Sequence, residues 1–418
     1  MVRSRLRLRP IATASTTHNA RVSDVTDPID QLDGWLRGEF VRINTRLEEA
    51  YFAEGVDVIS GRPGLDTLKL ALLRQGGPLM ERLASMPALP EDPRARYRLL
   101  GLVGHYLAAC QRHEAGLSDT EGGRQAAWGV SQRIGGSLGV VPRFVFAHQS
   151  LFNDAVAGRY RTFTSLPDER VFIHFNALGV LAYRRAAHAL RGIADMGVSN
   201  PVAAYLFEDA EAALKDALRF NQELSRQLNV ERFYFNVRPY FKTYRVGHVD
   251  YRGANAGDFA AINEVDVILG LCRTDDSFYQ SIVREKSGHV PPDDQQALQT
   301  LDRRVSLLHA FCRELDSHGA TAEWRANASR FLDVCKAHGA AYAYHHQRLV
   351  KPYLEKPAKT ALTAHTSGVT SSGPPLDEVI AMLQRLLDLR TARDRPGLAT
   401  AAASIARLQT HLSAQEPR

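Results

Sequence analysis

The sequence predicts an all-α protein. In long segments of the 418-residue chain, apolar residues recur every three or four positions, which is the period of a helix with one buried face. We find no run with the alternating pattern of a half-buried strand, and no internal repeat. With 44% hydrophobic and 23% charged residues, the chain has the composition of a globular protein with a sizeable core.

Proline and glycine divide the chain into helix-length segments. Asp27-Pro28 and Asn200-Pro201 are typical helix starts, in which a capping side chain precedes a proline at the first helical position. Between them we expect a helix over 96–110, a glycine-rich connection over 116–139 and a mostly apolar helix over 171–193. Later helices are predicted at 258–268 (capped by Asp258), 295–315, 327–355, 376–389 and 400–412.

Residues 1–27 are predicted to form a disordered tail. Up to Arg21 they are rich in Arg, Ser and Thr and lack acidic residues, a composition shared by transit peptides and disordered bacterial tails. They also lack the apolar core of a secretory signal. We expect residues 28–418 to form a single helical domain, with a smaller N-terminal part over 28–140 and the main bundle over 141–418.

The charge and the cysteines exclude several classes of protein. The net charge of +6 comes from scattered basic residues, so we expect no nucleic-acid partner. No apolar run is long enough to span a membrane, so we expect no membrane partner. The four cysteines form no CxxC pair and are typical of free thiols in a reducing compartment, which predicts a cytoplasmic protein.

The helix predicted over 327–355 carries the most distinctive pattern. Apolar or ring-bearing side chains recur along one face from Phe331 to Leu349, and that face includes His338 and His345. His346 is rotated about 100° from it. A histidine on a buried helical face is more often a hydrogen-bonded core residue than a ligand, so both interpretations stay open at this point.

Three loops between helices have unusual compositions. The segment Phe233–Gly247 sets Arg238 among aromatic rings, which either binds a carboxylate beside a flat ring or forms a structural corner. The small residues of Gly253–Gly257 either allow close approach to a large planar ligand or cap a helix. Thr370–Gly373 either offers hydroxyls and amides to a ligand or is a plain linker.

The sequence lacks the motifs of serine hydrolases, P-loop proteins, dinucleotide-binding proteins and zinc proteases. The three loops and one ligand histidine together suit a flat, hydrophobic cofactor inside a helical bundle. Heme with a proximal imidazole has that description.

Five segments, taken in order, resemble those of a known superfamily. They are Thr164–Glu169, Phe233–Gly247, Ala254–Gly257, Tyr344–Lys351 and Ser371–Gly373. The chain resembles the heme-dependent aromatic oxygenases, the superfamily of the indoleamine and tryptophan 2,3-dioxygenases. Within it, the chain is most similar to the monodechloroaminopyrrolnitrin synthase-like family.

The resemblance implies a fold and a cofactor. The fold is an all-α multi-helix bundle of the indoleamine/tryptophan 2,3-dioxygenase type that encloses a heme b, with 141–418 as the heme-binding part. His345 corresponds to the axial ligand of the heme iron. Asn255, Ala256 and Gly257 correspond to the small-residue loop over the heme edge.

The resemblance also implies the residues that contact the substrate. Arg238 corresponds to the arginine that binds a substrate carboxylate, and Phe233 and Tyr234 correspond to two aromatic residues against the substrate. Ser371 corresponds to the hydroxyl residue of a mobile loop that closes over the substrate ammonium. The closing loop of the dioxygenases is richer in glycine than this one.

Two positions near the iron stay open. The distal helix carries His174 and Asn176; we include His174 among the catalytic candidates, and which of the two faces the iron is undecided. An arginine that precedes the ligand histidine in indoleamine dioxygenases, where it serves a heme propionate, is missing, and Tyr342 lies three residues upstream of His345.

The expected function is that of a heme-dependent oxygenase of bacterial secondary metabolism. Its substrate would be a small aromatic molecule, tryptophan- or aniline-like, and its oxidant O2 or H2O2. Dioxygenation, hydroxylation and ring rearrangement all occur among relatives, and an electron donor and a homodimer are further expectations. The alternative is a catalytically inactive helical heme-binding or scaffold protein.

Overall fold

Most helices begin at a proline or at a capping side chain. The computed structural model describes residues 27–116, 122–303, 305–355 and 376–413. Asp27 accepts a hydrogen bond from the Ile29 amide just before Pro28, which confirms the predicted first helix start. Asp92 caps the fourth helix in the same way, through the amides of Arg94 and Ala95.

The N-terminal part of the described chain consists of helices. They are α1 (Pro28–Leu36), α2 (Glu39–Glu54), α3 (Pro63–Ala84), α4 (Pro93–Arg112), α5 (Gly122–Leu138) and the short α6 (Ala147–Ser150).

The rest of the described chain is also mainly helical. Its α-helices are α7 (Pro167–Met196), α8 (Ala203–Gln227), α9 (Val230–Arg232), α10 (Ala260–Leu269), α11 (Ser277–Ser287), α12 (Pro292–Gln299), α13 (Leu307–His318), α14 (Ala322–His345), α15 (Leu376–Arg390) and α16 (Ala402–Ser413). Helices α7, α8 and α14 pack side by side, and α10 and α15 cover them. The prediction of an all-α protein is confirmed, and each described helix is too short or too polar to cross a membrane.

One small hairpin interrupts the helices. Strands β1 (Tyr244–Val246) and β2 (Val249–Tyr251) pair antiparallel, with Tyr244 opposite Tyr251. These strands could not be predicted from the sequence, because three residues are too few to show a period of two.

Three predicted segments differ from the structure. The glycine-rich connection over 116–139 was wrong, because most of it is helix α5, in which the buried Gly135 allows the backbone of Val140 to approach closely. The helix predicted over 295–315 is divided between α12 and α13. The helix predicted over 327–355 begins earlier, at Ala322, and changes to a π-helix at His346–Glu355.

We predict that Gly104→Ala destabilises the fold. A Cβ at Gly104, inside α4, would lie 2.8 Å from the backbone nitrogen of Phe144, so two segments would have to move apart. Overpacking of this kind costs about 1–3 kcal/mol of unfolding free energy, which urea denaturation measures.

Gly129→Ala in α5 is the matched control. A Cβ there meets no atom within 4 Å, so alanine should be neutral or stabilising by up to about 1 kcal/mol. Equal losses for the two variants would contradict the packing argument.

Candidate active site

Two adjoining cavities lie between α7, α14, α15 and the loop 253–258. They contain about 1100 and 1050 Å³ of empty space, open solvent at their mouths included. We call the first the basic cavity, because Arg252, Lys286 and Arg390 line it. The second is the aromatic cavity, lined by Phe172, Phe233 and Phe241 among others. The side chains that line both cavities are Asn176, Asn255, Ala256, His345, Met382 and Leu383.

His345 lies at the junction of the two cavities, on the last residue of α14. Burial, together with the nearby Arg390 and His346, lowers the pKa of its imidazole to about 4, so the ring is neutral at pH 7. A neutral imidazole has the lone pair that iron requires. Its Nδ1 is buried and has no hydrogen-bond partner among the described residues.

The two neighbouring histidines have different surroundings. His338 is fully buried, and its Nε2 donates to the Asp266 carboxylate at 2.7 Å, as a core histidine does. His346 is also buried, and it lines neither cavity. Of the three histidines, only His345 is positioned to bind a ligand in the cavities.

The segment after α9 brings Phe233 and Arg238 to the wall of the aromatic cavity. It folds as a π-helix (Phe233–Val237) followed by a 3-10 helix (Arg238–Phe241). The ring of Phe233 packs on Phe172, with centroids 5.0 Å apart. Tyr234 instead turns away from the cavity, and the Arg238 guanidinium lies over its ring at 4.9 Å.

Arg238 is a cation without an anion. No carboxylate of the described residues forms an ion pair with it, and its Nε is buried without a hydrogen-bond partner. Burial is the main cause that lowers the pKa of this guanidinium, although it stays protonated at neutral pH. The aromatic cavity therefore offers an unpaired positive charge beside apolar rings, which suits a ligand with a carboxylate.

A buried ion pair between α2 and α4 holds this segment in place. Arg112 donates to both carboxylate oxygens of Glu48, at 2.7 and 2.9 Å, and to the carbonyl oxygen of Phe235 at 3.2 Å. The side-chain amide of Asn236 donates to the same carboxylate at 3.0 Å. The N-terminal helices thus position the turn that carries Phe233 and Arg238.

The small-residue loop is fixed from both ends. Arg252 donates to both carboxylate oxygens of Asp258 at 3.0 Å, and the Asn255 amide donates to one of them at 3.1 Å. The buried Arg143 donates to the carbonyl oxygens of Tyr251 and Arg252, at 3.1 and 2.6 Å. Asn255, Ala256 and Gly257 consequently lie along the basic cavity, and the first two also line the aromatic one.

Asp258 was expected to cap the following helix, and it does not. Helix α10 begins only at Ala260, whose amide donates to Asp294 from α12 at 3.0 Å. Asp258 closes the loop instead. From the sequence, Asp258 could be recognised as a residue that accepts hydrogen bonds from backbone amides. The sequence did not show whether those amides would belong to the loop before it or to the helix after it.

Helix α7 supplies the wall that the distal candidates were expected to form. His174 is exposed and lines neither cavity, whereas Asn176 lines both. Side chains two positions apart on a helix, such as those of His174 and Asn176, point about 200° apart around its axis, so the two cannot face the same site. The structure therefore places Asn176, and not His174, on the site.

A buried network around Asp266 was not anticipated from the sequence. Its carboxylate accepts a bidentate pair of hydrogen bonds from Arg390, at 2.8 and 2.7 Å, and another from Tyr279 at 2.8 Å. Arg390 lies over the ring of Tyr342 at 4.1 Å, and that ring stacks with His345. An arginine from α15 thus lies beside Tyr342, close to the candidate ligand histidine.

The structure brings together most of the predicted site residues. These are His345, Phe233, Arg238, Asn255, Ala256 and Gly257. Tyr234 and His174 lie off the cavities, and Ser371 lies outside the described residues.

The residues present fit a heme. One neutral imidazole faces two largely apolar cavities, and a Cβ built at Gly179 on the α7 wall would meet no atom within 4 Å. The basic cavity adds cationic side chains at one side, which suits the carboxylates of a porphyrin.

We predict that Arg112→Met costs about 3–5 kcal/mol of unfolding free energy, because it leaves the Glu48 carboxylate buried without its cation. The double variant Glu48→Gln/Arg112→Met removes that charge and should recover a large part of the loss. Urea denaturation measures both. A double variant that is no more stable than the single one would contradict this account.

The sequence matches the family model of monodechloroaminopyrrolnitrin synthase PrnB over residues 26–412. The match confirms the predicted resemblance, the heme cofactor and the expectation of an enzyme. Enzymes of this family are heme-dependent oxygenases that act on a tryptophan-derived substrate in secondary metabolism. The chain, with the all-α fold that the family shares with the indoleamine and tryptophan dioxygenases, belongs to the monodechloroaminopyrrolnitrin synthase family.

Proposed function

We propose that His345 is the axial ligand of the heme iron and that the substrate is an aromatic amino acid whose carboxylate binds Arg238. The observation that carries this proposal is the buried, unpaired guanidinium of Arg238 on the wall of a cavity that also contains His345. A tryptophan-derived substrate has both the ring and the carboxylate that this arrangement requires.

The side chains around the aromatic cavity position the ring. Phe172, Phe233 and Leu349 provide apolar surface that excludes water and packs against a flat substrate. A charge-assisted pair with Arg238 fixes the substrate at its other end. Two contacts at opposite ends of one molecule set its orientation, and orientation decides which ring atom reacts.

Heme supplies the redox chemistry by which an oxidant reacts with an electron-rich ring. His345 stays neutral, because burial holds the pKa of its imidazole at about 4. The outcome that best agrees with the family is an oxidative rearrangement of a tryptophan derivative. Peroxide as the oxidant, an electron donor, a homodimer and a cytoplasmic location stay predictions.

We predict that His345→Gly abolishes the histidine-ligated spectrum of the heme-loaded protein, because His345 is the only histidine among the described residues that line the cavities. The measurement is the absorption spectrum of the ferrous protein with and without CO. Added imidazole should restore the spectrum, since the variant leaves space for a free ring.

His346→Gln is the matched control and should keep the wild-type spectrum. The axial assignment is refuted if His345→Gly has the wild-type ferrous–CO spectrum in the absence of imidazole.

We predict that Arg238→Met weakens binding of an aromatic amino acid but not of the amine that lacks its carboxylate. The loss of a charge-assisted pair, about 1.5–3 kcal/mol, corresponds to a roughly 10- to 150-fold higher Kd. Spectral titration of the heme-loaded protein with tryptophan and tryptamine analogues of the same ring measures both.

Phe233→Leu is the control for this experiment, because it should weaken both ligands to a similar extent. Equal weakening of the two ligands by Arg238→Met would show that the guanidinium does not bind the carboxylate.

A further inference from the structure

Among the described residues, Lys286 is the second cation, after Arg238, that lies on a cavity wall without a carboxylate partner. It lies in the last turn of α11, its residue is 8% exposed, and it lines the basic cavity. Its Nζ donates to the Asn263 side-chain oxygen at 2.7 Å and to the Phe259 carbonyl oxygen at 3.4 Å. Both acceptors are neutral, and an ammonium has three donors, so one remains for a ligand.

The other cations of the basic cavity already have carboxylate partners. Arg252 pairs with Asp258 and Glu285, and Arg390 pairs with Asp266. No carboxylate of the described residues lies within ion-pair distance of Lys286. A buried charge without a counter-ion is unfavourable, so its presence on a cavity wall indicates an anion that arrives with a ligand.

We propose that Lys286 binds a propionate group of the heme. This inference rests on the proposed function in one respect, the binding of heme at His345. It adds a residue of this chain that would hold one edge of the porphyrin.

The division of the two cavities favours a propionate over the substrate carboxylate. Lys286 lines only the basic cavity, Arg238 lines only the aromatic cavity, and His345 lines both. A ligand on His345 can therefore extend to Lys286, while a substrate held by Arg238 has its own cation. The two anions then bind to separate sites.

The surroundings of Lys286 hold its ammonium in place. Asn263 accepts from Lys286 and donates to the Tyr279 hydroxyl at 3.0 Å, and Tyr279 donates to Asp266. The lysine is thus connected to the carboxylate that also binds Arg390. The amide and the hydroxyl fix the direction of the ammonium before the ligand arrives.

Two porphyrins test the proposal. Apoprotein is loaded with hemin or with its dimethyl ester, in which both propionates are blocked, and the loss of porphyrin to an excess of apomyoglobin is timed. We expect Lys286→Met to release hemin roughly 10- to 150-fold faster, the effect of one charge-assisted pair. We expect it to leave the release rate of the ester within about twofold of wild type. Lys286→Arg keeps the positive charge, so it should release hemin almost as slowly as the wild type does.

A second experiment varies the pH. The pKa of Lys286 is lowered to about 8, mainly by burial. This value includes the nearby Asp258 and Asp266, which raise it, and Arg390 and Arg252, which lower it. The protonated form binds a propionate, so the preference of the wild type for hemin over the ester should fall as the pH rises above about 8. Lys286→Arg should show no such fall.

The other charged groups around the lysine are Asp258, Asp266 and Glu285 and the guanidiniums of Arg252 and Arg390. Arg390 and His338 hold the pKa of Asp266 well below its usual value, and the neighbouring carboxylates raise the pKa values of Arg252 and Arg390. Burial raises the pKa of the Tyr342 hydroxyl to about 12 and that of Tyr279 well above its usual value.

The possible outcomes separate this inference from the proposed function. If Lys286→Met accelerates the release of hemin and of the ester equally, the lysine has a structural role and the inference is overturned. The inference is also overturned if the preference of the wild type for hemin does not change between pH 7 and pH 10. Failure of the wild type to bind either porphyrin would refute the proposed function itself.

Discussion

The cavities depend on the buried carboxylate of Asp266. It accepts hydrogen bonds from α11, α14 and α15 while belonging to α10, so four helices meet at one side chain. Removing a carboxylate from water is costly, and the bidentate pair with Arg390 offsets that cost. The guanidinium and the His338 ring hold the pKa of Asp266 well below its usual value. Through Asp266, this pair connects α15 to His338 on the helix that carries His345.

Two groups of buried charges shape the site. In the first, a carboxylate and a guanidinium neutralise one another and fix the architecture, as in Glu48–Arg112 and Asp266–Arg390. In the second, a cation lies on a cavity wall with no carboxylate partner among the described residues, and this group consists of Arg238 and Lys286. The ion pairs of the first group hold in place the helices and loops that form the cavity walls, and the cations of the second group lie on those walls. An aromatic amino acid and a porphyrin both carry carboxylates, so this distribution of charge agrees with the family to which the chain belongs.

The sequence predicted the class of fold and much of the site, for identifiable reasons. Helical periodicity is local, so the all-α class and the face that includes His345 could be recognised. Arg390 and Asp266 are 124 residues apart, and nothing local marks them as partners. The choice between His174 and Asn176 needed the rotation of α7 about its axis, which a helix with apolar residues on most sides does not reveal. Tyr234 was placed on the substrate by the resemblance alone, and the π-helix in which it lies brings Phe233, but not Tyr234, to the wall of the aromatic cavity.

The position of α15 in the chain has a consequence for how the protein is made. The ribosome produces α7 first, then the small-residue loop, then α14, and α15 only afterwards. When His345 has just been synthesised, Met382, Leu383 and Arg390 have not, and the Asp266 carboxylate has no guanidinium with which to pair. A nascent chain at that stage exposes an apolar trough and an unpaired carboxylate, the features that make partly folded chains aggregate. The cavities are therefore complete only after α15 has been synthesised and has packed against the helices made before it.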